Sequence, residues 1–338
     1  MPENITVGCA PQLRWGVLGC GVIANEMAAA LELQGRHLEA IANRTRAKAD
    51  AYAEKYGVPK VYDTFEELLA DPDIDAVYIT TPHNTHITFL RQALAAGKHV
   101  MCEKAITLNS EELAEANAIA KENGVVLLDA CTVLHMPLYK ELARRCRAGE
   151  FGEVGLAQLN FGSYKDWDMT NRFYNPKLAG GAMLDIGIYA LTVARLFLES
   201  NPMERVSLMN PAPTGVDVSS GLVCRNDEGQ LVVCSLSLHC KQPKRATICA
   251  DKAYIEIDEY PRADSARICW LESGEVETVS AGERRLALCY VLADLEAAVA
   301  GDADVLGQMQ ITEDVMDLMT GFRQDWNFYY PEELDGRD

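Results

Sequence analysis

Two short stretches hold residue types that can move protons. In "GGAMLDIGIYALTV", Asp185 and Tyr189 are four residues apart, so on a helix they share one face. Gly180, Gly181 and Gly187 permit close backbone approach around them. A carboxylate and a phenol, if exposed there, can act together. Taken alone, the pair fits helix capping by Asp185 and core packing by Tyr189 better than catalysis. The second stretch, "KHVMCEKA", closes an apolar run with Glu103 and Lys104. An acid-base pair at the end of a strand is notable, because strand ends are where α/β proteins bind ligands.

A third motif supplies a place for phosphate. "GCGVIA", Gly19 to Ala24, has the pattern G-x-G-x-x-A, and it follows a strand and opens a helix. Gly19 can make the tight turn, Gly21 lets a pyrophosphate approach the backbone, and Ala24 allows close helix packing. The first helical amides, from Val22 and Ile23 onward, then face the phosphates. About 20 residues further on, at the end of the second strand, an acid would bind the ribose hydroxyls of NAD. The chain has "ANRTRAK" there, with Asn43 and Arg44 at the acid's place and Arg46 and Lys48 beside them. Positive charge at that point favours NADP and leaves NAD possible.

"TTPHNTHI" ends another strand and starts a helix, with Asn84 or Thr85 as its cap. Thr81, Pro82, Asn84 and His86 are therefore read as lining the cofactor. His83 and His86 are three residues apart with no clear third ligand, which is thin support for a metal, and none is assigned.

These motifs need elements to hold them. From Arg14 to about Asp129, apolar runs such as "RWGVLG", "DAVYIT" and "KHVMC" alternate with helical periods, the signature of a doubly wound parallel sheet. Beyond "LHMP" and the helix "LYKELARRCRAGEFG" the pattern becomes strand after strand, interrupted by one helix over "AMLDIGIYALTVARLFLE" and followed by two more. The expectation is a Rossmann domain over residues 1–134 and an α+β domain with a large, mostly antiparallel open sheet over residues 135–338.

At 338 residues, 49% of them hydrophobic, the chain can fill two cores. Its charge of -19, with 31 basic against 50 acidic residues and no basic block, argues against nucleic acid and anionic membranes as partners. No apolar run is read as approaching the roughly 18 residues of a spanning helix, and "MPENITVGCAPQ" has no leader-like pattern, so the location read is cytoplasmic. Eleven scattered cysteines without a C-x-x-C pair read as reduced, packed thiols, with Cys20 and Cys102 beside the suspected cofactor loops.

"GCGVIA", the strand-end "CEKA" and "GGAMLDIGIY", in this order and at this spacing, resemble the glucose-fructose oxidoreductase / inositol dehydrogenase family, called Gfo/Idh/MocA. The resemblance is firmest from Arg14 to Arg195. It is nearest to the branch with dimeric dihydrodiol dehydrogenase and NADP-dependent xylose dehydrogenase, which has tyrosine where inositol dehydrogenases have histidine. It implies hydride transfer between nicotinamide and the CH-OH carbon of a sugar, cyclic polyol or dihydrodiol-like alcohol. By the same resemblance Tyr189 is the acid-base group, Lys104 lies near the nicotinamide and the substrate hydroxyl, Asp185 lines the substrate pocket and Arg172 reaches cofactor or substrate. An open C-terminal sheet that forms a homodimer or higher oligomer is also implied. The family motif continues with proline where this chain has Ala105, so Lys104 is expected to sit differently.

The chemistry agrees with these roles. A secondary alcohol must lose a proton as hydride leaves its carbon, and a phenol with a pKa near ~10 is a poor base at neutral pH. A lysine cation within a few Å lowers it by roughly 1–3 units, at about 1.4 kcal/mol each. Glu103 is expected to orient Lys104 or to line the nicotinamide ribose. The alternative is a nucleotide-binding sensor or regulatory protein that keeps the fold and has lost turnover; both bind NADPH, and only the enzyme oxidises it with a carbonyl substrate.

Overall fold

The computed structural model describes residues 7–334, which form two compact units. One comprises the chain up to Thr107, Glu111–Ala130 and Arg285–Met309; the other comprises Leu108–Ser110, Cys131–Arg284 and the chain from Gln310 on. The break expected after residue 134 thus falls at Ala130, and the chain returns to the first unit late. Helix Ala287–Val299 accounts for that return. Its Glu296 accepts from the Leu13 amide at 3.0 Å and the Trp15 indole at 3.2 Å, and pairs with Arg36 at 2.6 Å. The helix is apolar on most sides, so its own pattern does not say which core it joins.

The first unit is built on six parallel strands: β1 (Trp15–Leu18), β2 (Ala40–Ala42), β3 (Lys60–Tyr62), β4 (Ala76–Ile79), β5 (His99–Cys102) and β6 (Leu127–Asp129). Their order is β3-β2-β1-β4-β5-β6. β1 and β4 are buried along their whole length, as strands covered on both faces must be. Register does the positioning. Leu18 lies opposite both Ala42 and Ile79, and Ile79 lies opposite Cys102. The segments leaving β1, β2, β4 and β5 therefore emerge at one sheet edge, around the β1/β4 point where strand order reverses.

The second unit contains β7 (Val154–Gly162), β8 (Glu204–Pro211), β9 (Asp217–Arg225), β10 (Leu231–Ser237), β11 (Gln242–Ala250), β12 (Ala253–Asp258), β13 (Ser265–Trp270) and β14 (Val276–Ser280). They form one sheet in the order β14-β13-β12-β11-β7-β10-β9-β8, antiparallel throughout except for β7 beside β10. β14, a short exposed edge, is not among the expected strands; its five residues alternate without a buried face. Helix Ile188–Phe197 packs on one face against β7 and β11. The helix expected over 182–199 is not uniform: a π turn, Met183–Gly187, precedes the α-helix. By length and composition the stretch Pro176–Phe197 passes as a membrane-crossing candidate, which the sequence reading passed over. Most of it is buried inside the protein, where it serves as a core element.

Candidate active site

In the first unit, Gly19 takes a φ of +100°, and a Cβ there would meet the Thr80 hydroxyl at 2.9 Å. Glycine is required by both conformation and space. Its amide donates to the Ala42 carbonyl at 2.9 Å, which ties the loop to the end of β2. Gly21 is different: a Cβ there would have nothing within 4 Å, so the backbone faces open space. Helix Val22–Leu33 starts immediately, with no side chain capping its first amides and no acid in its first turn. Val22 is 76% exposed, Ile23 half-buried and Ala24 fully buried. Unclaimed amides beside an open backbone, at the positive end of a helix, fit a dinucleotide's pyrophosphate.

At the end of β2 no carboxylate stands where NAD's ribose would need one. Asn43 donates its side-chain amide to the nearby Thr45 carbonyl at 3.0 Å, an exposed bond. Arg46, one of the three cations at this end, is held by Asp50 at 2.7 Å and Asp63 at 2.5 Å. Arg44 and Lys48 are exposed. Cys20, next to the loop, is half-buried, and burial raises its thiol pKa against the pull of the Lys48 charge.

The turn after β4 departs from expectation at His86. The ring is fully buried, with Nδ1 at 3.0 Å from the Ala105 carbonyl and Nε2 at 2.8 Å from the Thr81 carbonyl. Both nitrogens are engaged on backbone, so the side chain cannot reach a cofactor; it joins the two loops instead. Burial drives its pKa down, partly opposed by the carbonyls. Thr85 occupies the N-cap position without capping, since its hydroxyl donates to the Pro82 carbonyl at 2.7 Å. Pro82 is exposed, while Thr81 and Asn84 are half-buried at this edge. Glu103 accepts from the Tyr78 hydroxyl, a partner that the sequence reading missed because Tyr78 looks like an ordinary strand residue. Lys104 follows, half-buried, and the Lys104–Ala105 peptide bond is cis.

In the second unit Asp185 and Tyr189 stand on consecutive turns, the first on the π turn and the second on the α-helix. Neither is openly exposed: Asp185 is buried and Tyr189 half-buried. Arg172 lies 3.5 Å from the Asp185 carboxylate and stacks on the Phe173 ring at 4.0 Å, with its side chain 55% exposed. The Tyr189 ring lies 6.1 Å from Phe161, whose other neighbours are Tyr260 at 5.8 Å and the Lys244 ammonium at 5.2 Å. The second unit thus brings together Asp185, Tyr189 and Arg172, and the first brings together the glycine loop, Thr81, Pro82, Glu103 and Lys104.

Residues 13–130 match the model of an oxidoreductase family with an NAD-binding Rossmann fold, and residues 139–256 match the Gfo/Idh/MocA C-terminal domain. The chain belongs to the Gfo/Idh/MocA oxidoreductase family. Among curated relatives, trans-1,2-dihydrobenzene-1,2-diol dehydrogenase of Xenopus tropicalis is 31% identical over 250 residues, 72% of this chain and 74% of that protein. D-xylose 1-dehydrogenase (NADP(+)) 2 of Haloferax volcanii is 34% identical over 218 residues, 64% of this chain and 67% of its own length. Among solved structures, aldose-aldose oxidoreductase from Caulobacter crescentus with glycerol aligns with a TM-score of 0.81 at 24% identity, covering 93% of this chain and 97% of that one. A 3-ketoreductase from Actinomadura kijaniata with NADP and TDP-benzene aligns at 0.80 and 23% identity, covering 93% and 98%. At these identities the solved structures speak for the fold.

This Gfo/Idh/MocA chain also has a buried polar network that sequence reading did not find. Asp217 accepts from the Met183 amide at 2.7 Å, and burial raises its carboxyl pKa to about 7. Arg323, 1% exposed, pairs with Glu333 at 2.6 Å and donates to the Leu108 carbonyl at 2.5 Å. No local signal marks these residues: the partners are 34, 10 and 215 positions apart in sequence.

Proposed function

We propose that the protein is an NADP-dependent oxidoreductase that transfers hydride between nicotinamide and the CH-OH carbon of a sugar, cyclic polyol or dihydrodiol-like alcohol. The observation that carries this reading is the Asp185–Tyr189 pair, set on one helical stretch with Arg172 beside it, in a chain of an oxidoreductase family whose phosphate loop is open. The named activities of the dihydrodiol and xylose dehydrogenase relatives support the substrate class, and the xylose enzyme's NADP(+) supports the cofactor.

Gly19 and Gly21 with the first amides of helix Val22–Leu33 would hold the pyrophosphate, and Arg44 with Lys48 would hold a 2'-phosphate. When bound, the nicotinamide accepts or returns the hydride. Tyr189 takes the hydroxyl proton in oxidation and gives it back in reduction. Lys104 is assigned the supporting cation, whose charge would stabilise negative charge developing on the substrate oxygen in the reductive direction. Asp185 orients the substrate hydroxyls, with Arg172 holding that carboxylate. The open face of the second sheet, where β8 exposes Val206 and Leu208, is the interface of a homo-oligomer, in line with the exposed apolar side chains there.

Tyr189→Phe tests the mechanism. NADPH affinity should stay near wild type, while turnover on a panel of aldoses, ketoses, inositols and trans-diols falls by roughly 100-fold or more. Undiminished turnover in that variant would remove Tyr189 from the reaction.

A further inference from the structure

Asp217 opens β9 and is wholly buried. Its Oδ2 accepts from the amide of Met183, the residue that begins the turn carrying Asp185. Its Oδ1 has no hydrogen-bond partner among the described residues and points at the backbone just before that turn. A Cβ added to Gly181 would lie 2.3 Å from this oxygen, and Gly181 has a φ of +124°, so only glycine passes here. The same turn is tied by a second side chain: the Tyr330 hydroxyl donates to the Gly180 carbonyl at 2.7 Å. Tyr330 lies under the Arg323 guanidinium at 4.8 Å, and Arg323 is fixed by both oxygens of Glu333 at 2.6 and 2.9 Å. Two carbonyl and amide groups of a four-residue entry, Gly180 to Met183, are therefore clamped by side chains distant in sequence.

A buried carboxyl with one oxygen unpartnered is costly, so a packing role alone would favour an apolar residue of similar size. The bond that Asp217 does make is to the start of the element on which Asp185 and Tyr189 stand. We propose that Asp217 is a positioning residue for the reaction proposed above, on which this inference rests: it sets the entry of the helix and hence where the Asp185 carboxylate and the Tyr189 hydroxyl are presented. The ionisable groups that face it are Arg323 from helix Ala303–Asp325 and Tyr330 from the C-terminal segment, whose own charged neighbour is Glu333. Burial raises its pKa to about 7 against the Met183 hydrogen bond and the Arg323 charge, so the acid form is substantially present at neutral pH.

The test compares full-length Asp217→Ala, which removes the acceptor, with Asp217→Asn, which keeps one at the same place. Both should bind NADPH with wild-type affinity. Asp217→Ala should lose roughly 10- to 100-fold in kcat with KM little changed, as small misplacements of reacting groups do. Hydrogen exchange over residues 183–189 should be faster in the alanine variant and near wild type in the asparagine variant, which should also recover most of kcat. Exchange needs no substrate: if the wild-type protein turns nothing over, the proposed function fails while the exchange contrast still tests the clamp. Should the alanine variant not fold, the asparagine variant carries the test, with wild-type protection and kcat expected. Wild-type exchange and kcat in folded Asp217→Ala, or a kcat loss in Asp217→Asn as large as that of alanine, would overturn the proposal.

Discussion

Removing two cations at the end of β2 should reverse the cofactor preference. Three basic residues crowd that end, and geometry separates them. Arg46 is spent on Asp50 and Asp63, which cancel its charge and fix its fork. Arg44 and Lys48 are exposed, and Asn43, which replaces the acid NAD would need, is turned toward the Thr45 carbonyl. A charge-assisted hydrogen bond to phosphate contributes about 1.5–3 kcal/mol, and exposure holds each of these two near the lower figure. Losing both costs about 3 kcal/mol, which is roughly 150-fold in the NADPH dissociation constant. NADH, lacking the 2'-phosphate, should change by no more than about twofold on the same scale.

Fluorescence titration of Arg44→Ala/Lys48→Ala with both nucleotides reads this directly. Repeating it at low and at physiological salt adds a second signature: wild-type affinity for NADPH should weaken with salt, and the double variant's much less. Asn43→Asp, which supplies a carboxylate facing a 2'-phosphate, should weaken NADPH and strengthen NADH. Equal losses for the two nucleotides would refute the reasoning, because the cations would then serve the pyrophosphate or the fold. So would a drop for Arg46→Ala as large as that of the double variant, since Asp50 and Asp63 already occupy Arg46.

The buried Asp217 makes stability depend on pH in an unusual sense. Its pKa rises from 3.8 to about 7 on folding, so the folded state favours the protonated form; this contribution is complete below pH 3.8 and is lost as pH rises toward 7. About three units correspond to roughly 4 kcal/mol at most, and urea unfolding of Asp217→Asn against wild type between pH 4 and 8 should show that decline only in the wild type. At the sheet's open face, Leu208→Asp places a charge where the side chain is 84% exposed in a single chain. Light scattering should show the proposed oligomer dissociating with no loss of secondary structure, and an unchanged mass would overturn the proposal that β8 forms its interface.

What was legible in the sequence was what neighbouring residues decide together. The turn and helix start of "GCGVIA" were legible because both are backbone demands met within six residues. Lys104 could be placed at a strand end because the apolar run stops there, and register with β4 then sets it near the turn after Thr80. Most strands of the second sheet bury one face and read as strands, whereas β14 is five residues at the sheet's edge with no buried face. Polar groups behave otherwise. Arg44 and Arg46 have the same chemistry two residues apart, and Arg46 is taken by Asp50 on its own helix and by Asp63, which the fold brings in. His86 stands in a polar turn and reads as a ligand-facing side chain, yet the carbonyls of Thr81 and Ala105 hold it inside. Asp217 looks like the polar start of a strand, and the amide it serves is 34 residues earlier. A hydrogen bond in a core is worth making only because the surroundings exclude water, and those surroundings come from the whole chain. Local pattern therefore places the groups proposed to touch a ligand at strand and helix ends, whereas the groups that hold those ends still are set by partners drawn from anywhere in the sequence. Their discovery has to follow the fold.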